Sequence, residues 1–97
     1  MFQQAFPVDK KNKVINATLL ASGWATANDI TTQDVTVAGV TTTSNGIVGL
    51  PTSATAEQRE AARVALLAPT AQSTNSLTIT VDGDVPEIDI PIEVVIY

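Results

Sequence analysis

The last third of the chain carries its clearest pattern. Leu77, Ile79 and Val81 alternate with Thr78 and Thr80, Asp82-Gly83 marks a turn, and Ile88, Ile90, Ile92, Val94 and Ile96 then fill every second position. Between them stand Asp89, Pro91, Glu93, Val95 and, at the end, Tyr97. Such period-two alternation predicts antiparallel strands with one buried and one polar face. Pro91 has no amide to give to a ladder, which places it at an edge or a bulge. Upstream, residues 14–20 are β-branched and aliphatic, and the stretch ends at Ser22-Gly23 with Trp24 at the turn. Residues 34–40 set Val35 and Val37 on one face and Thr36 on the other. The run Thr41-Thr42-Thr43-Ser44-Asn45-Gly46 closes them as a polar turn, and residues 47–50 form a short apolar strand stopped by Pro51.

One helix interrupts the strands. Thr55 is the expected N-cap, with Gln58 at capping-box spacing and Glu57 near the positive end of the dipole. Residues 56–67 are mostly strong helix formers. Ala61, Val64, Ala65 and Ala68 share one side, Gln58, Arg59 and Arg63 the other, and Pro69 is the expected stop. These elements predict a mostly-β fold: a small antiparallel β-sandwich over residues 14–97 with one short α-helix. Residues 1–13 read as an extended N-terminal arm. It holds Phe2 and Phe6, two of only four aromatic residues, followed by Lys10, Lys11 and Lys13. An arm carrying two Phe is expected to dock, on its own domain or on a neighbour.

Composition narrows the chemistry. Ninety-seven residues make one domain, and with 4% aromatics the core must be aliphatic. The absence of His and Cys excludes disulfides, thiolate catalysis, zinc fingers and any Ser–His–Asp relay. The residues therefore speak against an enzyme, and they call for no cofactor. A net charge of −5 repels phosphate backbones, so no nucleic acid is expected as a partner. No run of eighteen apolar residues is present, and no membrane span is expected. Residues 10–27 imitate a signal peptide, but Asn16, Thr18, Ser22 and Gly23 break the apolar stretch that one needs.

Three features invite a functional reading. Basic residues crowd the arm while Asp82, Asp84, Glu87, Asp89 and Glu93 crowd the C-terminal end, so the arm of one subunit could meet the acidic end of another. The cluster Asp82, Asp84, Glu87 and Asp89 offers carboxylates to calcium, without an EF-hand register, and a polar hairpin turn explains it equally well. Trp24 is either a ligand-binding anchor or a core aromatic whose indole N–H finds a backbone carbonyl; the core role is favoured.

The order of features has a likeness. Ala17-Thr18-Leu19-Leu20-Ala21-Ser22-Gly23-Trp24 is followed by Gln33-Asp34-Val35-Thr36-Val37-Ala38-Gly39-Val40, then Pro51, a short Glu- and Ala-rich helix, Ser76-Leu77-Thr78-Ile79-Thr80 and a closing apolar strand. This resembles small β-sandwich modules of head-fibre and tail-fibre virion proteins of tailed bacteriophages. The resemblance spans residues 14–97, and the Ser-Gly-Trp turn and the Val-Thr-Val-Ala-Gly-Val strand are its most specific parts. It implies a non-enzymatic structural protein located in the virion, a fibre module or capsid decoration protein, commonly trimeric. Its implied partners are copies of itself and other virion proteins such as the major capsid or a tail protein. Phe2, Phe6, Lys10, Lys11 and Lys13 are then the candidate virion or subunit interface. A second reading is a carbohydrate-binding adhesin module that meets host-surface glycans through Trp24, Tyr97 and the threonine face.

Overall fold

A computed structural model describes residues 13–97. Two antiparallel sheets face each other. The first has three strands, ordered β1 (Lys13–Leu19), β7 (Ile90–Ile96) and β4 (Gly46–Gly49). The second has four, ordered β2 (Ala25–Ala27), β3 (Ile30–Thr36), β6 (Ser76–Val81) and β5 (Leu67–Ser73). One helix, α1 (Ala56–Ala65), lies on the path from β4 to β5. The fold is the mostly-β sandwich that the alternation predicts. Residues 1–12, with Phe2, Phe6, Lys10 and Lys11, lie outside the described residues.

Alternation does the sorting. Ile90, Ile92, Val94 and Ile96 are all buried, and they share one core cluster with Leu77 and Ile79 of β6, Val35 of β3, Val37, Val40 and Leu19. A pleated strand sends every second side chain to one face, so this row needs no other instruction to point inward. β7 is the central strand of its sheet, with Thr18 of β1 opposite Pro91. β4, however, ends its pairing at Gly49 opposite Glu93. On that side Pro91 sits beyond the ladder, which reconciles a proline with a central strand. β4 also needs Gly46, since a Cβ there would stand 2.1 Å from the Val95 carbonyl oxygen.

Local chemistry fixes the connections. Asn28 and Asp29 both have positive φ, at 53° and 65°, and join β2 to β3 as a primed two-residue turn. Asn75, at φ 60°, turns β5 into β6, while its side-chain oxygen accepts the Gly39 amide and its own amide donates to the Val40 carbonyl. The loop after β3 is thereby tied to this hairpin. The polar run beginning at Thr41 does turn, with the Thr41 amide donating to Ser44 Oγ, but it carries the chain from one sheet to the other and makes no hairpin.

The helix begins as expected and ends early. Thr55 Oγ1 accepts the Gln58 amide, and Gln58 Oε1 accepts the Thr55 amide. Pro69 is not its stop. Leu66 adopts a left-handed conformation at φ 52°, its amide returns to the Arg63 carbonyl, and the chain enters β5 with Pro69 inside that strand. Pairing slips between Pro69 and Ala71, where the proline supplies no ladder amide. Ala61 and Ala62 pack on the core and Ala65 is buried, whereas Val64 is 42% exposed and leaves the apolar side assigned to it. The Asp82-Gly83 turn differs from a hairpin as well. Asp82, Gly83 and Asp84 donate their amides to the Ala65 and Val64 carbonyls and so satisfy the helix C-terminus.

Truncating Ile79, 1% exposed in the core, to Ala should cost about 2–5 kcal/mol in denaturant unfolding. Val14→Ala, at a position 59% exposed, should stay within about 0.5 kcal/mol. Equal losses at both positions would contradict the inward assignment of the alternating row.

Candidate functional site

An apolar concave surface lies where β4 and β5, the edge strands on one side of the two sheets, face each other. Two adjoining clefts open there. One, about 310 Å³, reaches Leu19, Ile79 and Ile92 beneath Ala62 of the helix and has Arg59 and Arg63 at its lining. The other, about 320 Å³, reaches Leu77, Val94 and Val40 and is bounded by Ser44, Asn45 and Gln72. Val48 and Pro69 line both. Core side chains are therefore visible from outside along this edge. The cations are engaged elsewhere: Arg59 Nη1 donates to the Ala54 carbonyl at 2.8 Å, and Arg63 pairs with Glu60 one turn before it. Gln72 Nε2 donates to the Thr41 and Ser44 carbonyls, which holds one lip in place.

The two outer faces differ. On the four-stranded sheet hydroxyls dominate: Thr78 donates to Asp34 Oδ1 at 2.6 Å, and Thr70 and Thr80 share a hydrogen at 2.7 Å. On the three-stranded sheet, Val14, Val95 and Ile47 lie directly across from one another in one row. Val14 is 59% and Ile47 47% exposed. The outer face of β7 is thus polar only around Glu93 and aliphatic toward its C-terminal end.

The residues singled out by sequence do not gather into one site. Lys13 is the exposed first residue of β1, with its ammonium beside Gly39. Trp24 is half-buried and packs against the core, as its favoured role requires. Its Nε1 is buried without a hydrogen-bond partner among the described residues, contrary to the carbonyl contact expected. The Leu20 carbonyl at this turn is already taken by Gln33 Nε2 and the Gly23 amide. Tyr97, 46% exposed, follows the strand end that pairs with Lys13, whereas Trp24 comes after the far end of β1. The acidic cluster is likewise dispersed. Asp82 and Asp84 sit at the helix C-terminus, and Asp89 Oδ1 accepts the Ala21 amide at 2.8 Å. Among the described residues no group of three or more Asp or Glu side chains stands close enough to hold a metal ion.

Gln33 escaped the sequence reading. It is 7% exposed, its Oε1 accepts the Leu20 amide at 2.9 Å, and its Nε2 donates to the Leu20 carbonyl at 3.0 Å. One side-chain amide thus mimics a strand partner for the residue that follows β1, and it rivets the three-stranded sheet to the four-stranded one. The signal was available: position 33 has the inward parity of Val35 and Val37, so a glutamine there must meet polar atoms.

No protein-family model, curated protein or solved structure matches the chain, and the likeness to phage fibre modules rests on the sequence pattern alone.

Gln33→Leu keeps the volume but orphans the Leu20 amide and carbonyl. The expected loss is about 1–3 kcal/mol in chemical denaturation. A neutral result would show that water satisfies Leu20 as well as Gln33 does.

Proposed function

We propose that the chain is a structural assembly module of a virion, a head- or tail-fibre unit or capsid decoration protein of a tailed phage, whose function resides in its association with copies of itself. The observation that carries this reading is the open edge between β4 and β5, where Leu19, Ile79 and Ile92 line a cleft at the surface. A small domain without disulfides gains most from covering such surface by assembly. The exposed Val14–Val95–Ile47 row adds a second apolar surface on the opposite side of β4. Three copies around an axis would let marginal cores share buried area, and closure would keep the assembly finite. The role of the arm in this reading is that of an anchor or a contact between subunits.

The glycan-binding alternative requires aromatic rings presented together. Trp24 and Tyr97 lie at opposite ends of β1, and the Trp24 side chain packs on the core, which counts against such a platform.

Light scattering on a sizing column at two protein concentrations tests self-association. The expected mass is that of a trimer, three times 10.1 kDa. A mass of one chain at every concentration, up to the millimolar range, would overturn it.

A further inference from the structure

From the open edge we infer that the cleft between β4 and β5 is the receptor for the N-terminal segment of a second copy, seated through Phe2 and Phe6. The inference rests on the self-association reading above and names the contact that would produce it.

Four observations converge on this occupant. First, the described core contains no Phe, while the only two in the chain stand at positions 2 and 6. Second, the clefts fit rings. An apolar cavity of about 150 Å³ accommodates benzene, and each cleft here is about twice that size. Third, β4 is an edge strand, paired with β7 on one side and open on the other, so an extended segment can add to it. Residues four apart share one face of a strand, so Phe2 and Phe6 would both point into the sandwich. Antiparallel addition to β4 seats Phe6 in the cleft beside Gly46 and Phe2 in the cleft beside Leu50. Pro7 is acceptable there because the added segment becomes the new edge.

Fourth, the tether favours a neighbour. The segment precedes Lys13 on β1, and an added strand beside β4 would lie three strand spacings away, roughly 14 Å. The five steps from Val8 to Lys13 span at most about 17 Å when fully extended. Folding back onto its own domain would leave almost no length for reversing direction at both ends. Short hinges of this kind deliver a segment to the next subunit instead. Each subunit then gives an arm to one neighbour and takes one from the other, a head-to-tail contact that closes into a ring.

The chain has no cysteine, so an engineered pair reports cleanly. In the full-length chain carrying Gln4→Cys and Val48→Cys, which keeps both rings, a short thiol cross-linker should join different chains, giving covalent trimers on a denaturing gel. In separate variants, Phe2→Ala with Phe6→Ala and deletion of residues 1–8 should keep the strand circular-dichroism signal. Both should lose the oligomer, with association weakened by about 30-fold or more for each ring removed. A link within one chain would overturn the inference. So would a trimer that survives the deletion; self-association would then stand and the interface would move to the Val14–Val95–Ile47 row. If the unmodified chain is a monomer throughout, the assembly reading fails first and takes this contact with it.

Discussion

Ile90, Ile92 and Val94 of β7 share one apolar layer with Leu77 and Ile79 of β6, and the other elements depend on that layer. Each sheet has one apolar face that must be buried against another layer, and here each is the other's cover. Pressed together they bury the apolar rows of both at about 25 cal/mol per Å² of surface removed from water. β1 docks because Ile15, Ala17 and Leu19 line up opposite Val94, Ile92 and Ile90. The helix docks because Ala61, Ala62 and Ala65 are small enough to lie close to the same layer. With an aliphatic core and so few aromatic rings, the layer has little thickness to spare, and its edge is where it becomes visible.

That edge follows from the connections. β4 has four residues, two of them glycines, and contributes only Val48 to the interior. β5 carries Pro69 opposite Ile79 and a register slip just after it. Two weak strands therefore flank the clefts. The opposite side is better closed: Gln33 pins the end of β1, and Asp89 holds the Ala21 amide nearby. The domain is therefore asymmetric, firm on one side and open on the other.

The strands of the C-terminal third were legible because alternation is a local signal that the sheet obeys residue by residue, along Leu77–Val81 and again from Ile90 to Ile96; Ile88 has the same parity but lies in the loop before β7. The helix start was legible for the same reason: Thr55 and Gln58 satisfy each other's amides without help from the rest of the fold. Its end was not. Leu66 turns left-handed because the following residues are drawn into β5 against β6, a tertiary demand that outweighs the helix preference of Leu66 and Leu67. Topology was illegible too. Asp82-Gly83 and Asn45-Gly46 have hairpin chemistry, yet each carries the chain between sheets; Gly83 is needed where it is because a Cβ there would collide with the Val64 carbonyl oxygen. Asn28-Asp29 and Thr74-Asn75, neither with a glycine, are the turns that do make hairpins. The open edge could not be read at all, since it arises from the meeting of two strands far apart in sequence.

The central claim is that the β4–β5 edge is incomplete in the single subunit and becomes covered in the assembly. Amide hydrogen exchange resolved by residue, at micromolar and then near-millimolar protein, tests it most directly. Ile47 and Val48 should exchange markedly more slowly at the higher concentration while the free edges of β1 and β2 do not change. Slowing confined to β1 or β2, with β4 unaffected, would contradict it.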